Sequence, residues 1–152
     1  RAARRSWFNT AGISDERIEF VPGTMSFADH LAVYHRADIA LDTFPYHGTT
    51  TTCEALWMGL PVVSLIGNAH RSRVALDLLS AVGLPELAAA TPDAFIAAAA
   101  ALAADLPRLR TLRSTMRDRL RVSPLLDCKS LAAAVEAAYR TMWRAWCYLQ
   151  RA

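Results

Sequence analysis

Cysteine is scarce in this 152-residue sequence: Cys53, Cys128 and Cys147 stand far apart, and no Cys-x-x-Cys pair or Cys/His ligand spacing joins them. That argues against a zinc module, and no metal site is expected. The odd count, with no leader-type segment at the start, argues against a disulfide framework and fits a reducing, cytoplasmic setting. No apolar run approaches the roughly 20 residues that a membrane-spanning helix needs. The arginines gather at Arg1, Arg4 and Arg5 and again from Arg108 to Arg121, but no aromatics interleave with them. They read as a solvated helix face, so neither nucleic acid nor a membrane is an expected partner. No internal repeat or low-complexity linker occurs, and the alanines at 97–101 read as the inside of a helix.

What is present is the composition of a globular domain: 53% hydrophobic and 20% charged residues, with a net charge of +3. The length suits one domain with a real core. The chain opens at Arg1, without Met, on what reads as mid-helix. A fragment of a longer protein is therefore expected, forming a single lobe over 1–152 with its core sheet at about 17–88 and C-terminal helices at about 91–150.

Read along the chain, a helix over 1–11 carries Trp7 and Phe8 and stops at Gly12. Ile18, Phe20 and Val21 predict a short strand ended by Pro22 and Gly23. Ser26, with Asp29 three residues on, predicts the start of a helix to about Arg36. A second strand is expected around Ile39–Asp42. A helix from about Thr51, stopped by Gly59, follows it. "PVVSLIG" reads as a strand buried on both faces. Arg73 to Val82 reads as a helix ended by Gly83, and Leu84 to Ala88 as a short edge strand. Thr91 with Pro92 predicts a helix start. Pro107 opens a helix to about Val122, Ser123-Pro124 breaks the chain, and 127–150 is a long final helix. Strands alternating with helices imply an α/β fold with a parallel sheet and right-handed crossovers.

In such folds ligands bind beyond the carboxyl ends of the strands. Two loops lie there: "PGTMSFADH" and "TFPYHGTTTTCEALW". In the second, Gly48 permits close backbone approach, and Thr49 to Thr52 bring four hydroxyls to a helix start. A helix N-terminus offers unpaired N–H donors and a partial positive charge, which suit a phosphate. No lysine accompanies them as in a Walker loop, so a diphosphate held by neutral donors is the expected anion. Glu54, in the first turn, suits ribose hydroxyls. The plainer reading is a threonine cap followed by a favourable first-turn acid, and from local chemistry both stay open. His30 could stack on a base or meet phosphate, or be an ordinary half-exposed helix residue. His47 could reach a phosphate. His70, Arg71 and Arg73 form either a diphosphate-neutralising group or a surface cluster; His35 fits no pattern. No Ser/His/Asp order and no carboxylate pair marks an acid/base machine.

The segment "DTFPYHGTTTTCEALWMGLPVVSLIGNAHRSRVALDLLSAVGLPEL", Asp42 to Leu87, resembles the C-terminal catalytic lobe of the O-linked N-acetylglucosamine transferase family, including its tetratricopeptide-fused, SPINDLY-like bacterial members. The likeness extends back through "RIEFVPGTMSFADHLAVYHRADIALDT" and forward to "SPLLDCKSLAAAVEAAYRTMWRAW". It implies a Rossmann-like parallel sheet with flanking helices, the second lobe of a GT-B glycosyltransferase, with a long C-terminal helix. It implies a UDP- or GDP-linked sugar donor used without metal or other cofactor, a protein acceptor, and a first lobe and tetratricopeptide repeats outside this chain. By position, the resemblance puts His30 against the nucleoside, Thr50 and Thr51 on the diphosphate, and Glu54, in place of a family aspartate, on the ribose. Thr49 falls where some members have a diphosphate-binding histidine, and His47 where some have asparagine. A family lysine expected near Met25 or Ser26 is missing, and a family arginine aligns with Val33. The acceptor's base has no counterpart here. The expected function is donor binding in a protein O-glycosyltransferase, with UDP-N-acetylglucosamine as the leading donor. Other readings are a GT-B enzyme with a lipid or polysaccharide acceptor, or a non-catalytic interaction module. The aromatics of the last helix, Tyr139, Trp143 and Trp146, are expected to face the absent first lobe, leaving an apolar patch.

Overall fold

A computed structural model of the chain describes residues 2–21, 23 and 26–150. By internal contact the chain separates into Arg1–His30 and Leu31–Ala152.

In the first unit, helix α1 (Ala2–Thr10) ends where Gly12 takes a positive φ of 78°. The Ile13 N–H then reaches Phe8 O (2.9 Å) and the Gly12 N–H reaches Asn9 O (3.0 Å), a Schellman closure that satisfies two orphan carbonyls. The strand expected at Ile18–Val21 does not form. Ile18 is extended (φ −122°, ψ 117°), yet no described residue supplies a ladder partner. β-propensity without a neighbouring strand leaves an extended segment only. Phe20 instead lies under the Arg5 guanidinium, 5.1 Å from its ring centroid. Arg1, Pro22, Thr24 and Met25 lie outside the described residues. Ser26 starts α2 (Phe27–Val33): its Oγ accepts the Asp29 N–H (3.1 Å) and donates to the Asp29 carboxylate (2.7 Å). The last residues of α2, from Leu31, and the single tight turn Tyr34–Arg36 belong to the second unit.

The second unit holds a three-stranded parallel sheet in the order β1 (Ala40–Leu41), β2 (Val62–Leu65), β3 (Ala88–Ala89). Ala40 and Leu41 pair with Val62 and Val63; Ser64 and Leu65 pair with Ala88 and Ala89. Parallel neighbours need crossovers, and α3 (Thr50–Trp57) and α4 (Val74–Ala81) supply them. β2 is central and buried, as the run "PVVSLIG" predicts. The edge strand stands later than Leu84–Ala88 because Pro85 opens a tight turn over Pro85–Leu87 before the ladder begins.

Thr91 accepts the Ala94 N–H (3.2 Å) and starts α5 (Pro92–Ala104), whose small alanines pack on β2 and β3. Asp105 caps α6 (Leu106–Arg121), which lies against α3 and α5. The core gathers Leu56, Val63, Leu79, Leu102, Leu112 and Met116. Each such leucine is worth about 1.5–3 kcal/mol of transfer free energy. α3 ends at Gly59 (φ 82°), where Leu60 N–H closes on Ala55 O (2.8 Å). A side chain at Gly59 would also meet the Arg113 backbone carbonyl at 2.7 Å, so α6 leaves room for glycine alone.

The last helix, α7 (Cys128–Leu149), has no buried residue. Leu131, Val135, Tyr139, Met142, Trp143 and Trp146 recur at helical spacing, all exposed. Among the described residues, no helix is long and apolar enough to cross a membrane.

Candidate functional site

Just past β1, the Asp42 N–H still donates to Val63 O of β2 (2.9 Å), while its side chain turns to hold the loop. Asp42 Oδ1 accepts the N–H groups of Thr43 (2.9 Å) and Gly48 (3.0 Å), drawing the loop back on itself. Oδ2 accepts the Ser64 hydroxyl from β2 at 3.1 Å. The Thr43 hydroxyl donates to Tyr46 O inside the same loop.

His47 is 1% exposed. Its Nε2 meets Leu65 O at 2.9 Å and its Nδ1 meets the Ala75 N–H at 3.2 Å. A carbonyl only accepts and a backbone N–H only donates, so the proton sits on Nε2 and Nδ1 is bare. The approach of Nδ1 to Asp42 Oδ2 (3.6 Å) is therefore not an ion pair. Nδ1 instead satisfies an orphan donor in the first turn of α4. The His47 N–H also donates to Arg71 O (2.8 Å). The sequence suggested that this ring could reach a phosphate. The structure turns it inward with both nitrogens occupied, where it ties the β1 loop to β2 and α4.

The loop delivers the chain to α3. The Cys53 N–H donates to Thr49 O (3.0 Å), so the N–H groups of Thr50 and Thr51 precede that bond at the helix start. Thr49, Thr50 and Thr51 are exposed. Thr52 is not: its hydroxyl turns back to Gly48 O at 2.8 Å, leaving three hydroxyls for solvent instead of four. At Gly48 the helix start comes close. A side chain there would meet Thr51 Oγ1 at 2.2 Å.

One turn on, Glu54 is half-buried and its Oε2 accepts the Tyr34 hydroxyl at 3.1 Å. Burial, then the bond to Glu54 and its charge, push the Tyr34 phenol up from 10.0 to about 12. Burial and the same carboxylate push the Cys53 thiol up. Tyr34, Leu41, Asp42, Thr43, Thr51 and Thr52 border a cavity of about 160 Å³ at the carboxyl end of β1. Sites for drug-sized ligands run to roughly 300–1,000 Å³, so this one holds part of such a ligand.

The structure thus brings together Gly48, Thr49, Thr50, Thr51 and Glu54, as the sequence suggested, and adds Tyr34, Asp42 and Ser64, which sequence reasoning missed. An aspartate closing the carboxyl end of a predicted strand was the available signal for Asp42. His30 lies in α2, half-buried, in the first unit. Met25, near the missing family lysine, lies outside the described residues. In the loop after β2, His70, Arg71 and Arg73 are exposed, and the Arg73 guanidinium donates to Gly67 O (3.1 Å).

A parallel α/β unit with an open, donor-lined helix start beyond its strand ends belongs to the class of folds that bind phosphorylated ligands there. Comparison with known proteins narrows the class. Residues 3–135 match the model of glycosyl transferase family 41, and the chain belongs to that family. It is 41% identical over 136 residues to "Probable UDP-N-acetylglucosamine--peptide N-acetylglucosaminyltransferase SPINDLY" of Arabidopsis thaliana, covering 90% of this chain and 15% of the relative. A UDP-N-acetylglucosamine–peptide N-acetylglucosaminyltransferase of Caenorhabditis elegans is 32% identical over 133 residues, 88% of this chain and 12% of that protein. Among solved structures, a point mutant of the Thermobaculum terrenum O-GlcNAc transferase superposes with a TM-score of 0.87 at 41% identity, covering 96% of this chain and 28% of that one. The fold is thus that of the matching part of a GT-B glycosyltransferase. The chain spans about 15% of the Arabidopsis relative's length.

Proposed function

We propose that this chain is the donor-binding lobe of a protein O-glycosyltransferase that uses a nucleoside-diphosphate sugar, with UDP-N-acetylglucosamine as the donor. The observation that carries the reading is the start of α3: three exposed threonines and early helical N–H groups, set at the carboxyl end of β1 beside a partial cavity. The names of the relatives support the donor and the protein acceptor.

In the reaction an acceptor Ser/Thr hydroxyl gives up its proton to a base on the acceptor side, its oxygen forms a bond to the anomeric carbon as the bond from that carbon to the β-phosphate oxygen breaks, and the nucleoside diphosphate leaves, with inversion by family likeness. The protein must stabilise that growing charge. Thr50 and Thr51, with the helix N–H groups, do so as fixed donors that need no reorganisation, and no metal is called for. Thr49 extends the donor set, and Gly48 lets the diphosphate approach the backbone. Glu54 accepts from the ribose hydroxyls, with Tyr34 holding its other side. His30 lies against the nucleoside. His47 serves through the loop. No catalytic base is assigned among these residues; the acceptor side belongs to a first lobe, with tetratricopeptide repeats as the further partner segment. A cytoplasmic setting fits the free cysteines.

Calorimetry on the full-length protein tests this. UDP or GDP should bind, and Glu54→Ala should cost about 1–3 kcal/mol of that affinity. Binding of neither nucleotide would sink the donor reading, and an unchanged Glu54→Ala affinity would remove the ribose role.

A further inference from the structure

The Asp42 carboxylate lies at the edge of the proposed site and holds both ends of the loop that feeds α3, at Thr43 and at Gly48. Its side chain is 5% exposed and receives three donors: two loop N–H groups and the Ser64 hydroxyl. The Ser64 oxygen lies 3.3 Å from His47 Nε2, and the His47 ring is fixed by Leu65 O and the Ala75 N–H. Buried polar groups tied on every side hold one geometry, because any displaced member leaves a donor or acceptor unpaired. The Gly48 N–H is the member closest to the site: Gly48 lies directly beneath Thr51 Oγ1 and receives the Thr52 hydroxyl on its carbonyl.

We infer that Asp42, backed by Ser64 and His47, is a positioning residue for the diphosphate turn: by holding the Gly48 N–H it sets where Thr50 and Thr51 present their donors. The three side chains superficially form a Ser-His-Asp set. The hydrogen bonds run the wrong way for a nucleophile, since Ser64 donates to Asp42 and His47 Nδ1 accepts from Ala75. Their work is geometric. Fixed donors are effective only while placed to within a fraction of an ångström, so a loop freed at Gly48 loses phosphate recognition first. The ribose contact lies a turn further along α3, where the Tyr34 hydroxyl anchors Glu54 independently of the loop (3.1 Å), and stays.

The inference rests on the reading of the threonine turn as the diphosphate site, and its test separates the two. The readout is the ratio of affinities for the nucleoside diphosphate and for the bare nucleoside, UDP against uridine or GDP against guanosine. Both are measured on the full-length protein, by calorimetry and ligand-observed NMR. A wild type that binds the diphosphate no better than the nucleoside overturns the donor-site reading and this inference with it. Given a wild-type preference, Asp42→Ala should weaken diphosphate binding about tenfold and leave the nucleoside within about twofold. Asp42→Asn should recover most of the loss, because the amide oxygen still accepts both loop N–H groups and its NH2 can donate to Ser64. Equal losses for the two ligands would mean a lower folded fraction and overturn the positioning role; so would no loss. If Asp42→Ala does not fold, Ser64→Ala decides. It deletes only the hydroxyl that anchors Oδ2 and should lower the ratio about fivefold. A ratio within about twofold of wild type there overturns the inference.

Discussion

Adding one methyl group at Gly48 tests the geometry of the threonine turn directly. The new Cβ would lie 2.2 Å from Thr51 Oγ1, 3.1 Å from Thr52 Oγ1 and 3.6 Å from Thr51 Cβ. No backbone atom is among these three neighbours, so the strand, loop and helix need not move. The Thr51 hydroxyl must. Threonine in a helix has a second accessible χ1 rotamer, and a strained rotamer costs about 0.5–1.5 kcal/mol. Gly48→Ala should therefore lower unfolding free energy by only about 1 kcal/mol in urea titrations. Its effect on nucleoside-diphosphate binding should be larger. A hydrogen bond to a charged group is worth about 1.5–3 kcal/mol, so affinity should fall roughly tenfold to hundredfold when Thr51 turns away. A double-mutant cycle sharpens the point. In a Thr51→Ala background the colliding hydroxyl is gone and the nearest Thr51 atom is its Cβ in ordinary contact. The stability penalty of Gly48→Ala should then shrink, and the two binding losses should not add. Additive losses would refute the reasoning, as would a stability loss of several kcal/mol in the single variant, which would show that the backbone had been displaced.

Gly59→Ala offers the contrast. There φ is 82° and the added Cβ meets the Arg113 carbonyl, part of a helix backbone that cannot rotate aside. The expected loss is about 2–4 kcal/mol in urea unfolding, well beyond that at Gly48. Tyr34 gives a pH signature. Its folded phenol is held protonated to about 12 against an ordinary 10.0, so the stability it adds is whole below pH 10 and lost as pH rises through about 12. Tyr34→Phe should flatten that alkaline stretch of the unfolding profile and remove the phenol absorbance change centred near pH 12; an unchanged slope would refute the raised phenol.

The features legible in the sequence were those written in adjacent residues. Thr91-Pro92 marks a helix start, Gly12, Gly59 and Gly83 mark helix stops, and the threonine run at a strand end marks an anion-suited turn, all because the physics involved spans four or five residues. What escaped depends on neighbours far along the chain. Ile18–Val21 has strand-like composition, but a strand exists only with a partner, and none pairs with it among the described residues. His47 looks like a loop histidine free to meet a ligand. Its burial requires Leu65 and Ala75, 18 and 28 residues further on, to close around it. Tyr34 reads as one apolar position in a helix, while its hydroxyl spans 20 residues to Glu54. Asp42 reads only as the last residue of a strand until Ser64 arrives beside it from β2.

Trp57, at the end of the helix that the threonine turn begins, has a use of its own. The guanidinium of Arg117 lies 5.1 Å and that of Arg121 5.6 Å from its ring, and Arg117 Nε also donates to Trp57 O (3.0 Å). The other three tryptophans, Trp7, Trp143 and Trp146, are 72%, 63% and 52% exposed, whereas Trp57 is half-buried. The molecule therefore carries an optical gauge of the joint between α3 and α6. With the three exposed indoles replaced by phenylalanine, emission comes from a single ring clamped by two cations, and its colour and quenching report whether the far end of the site's own helix stays seated as a ligand loads the near end.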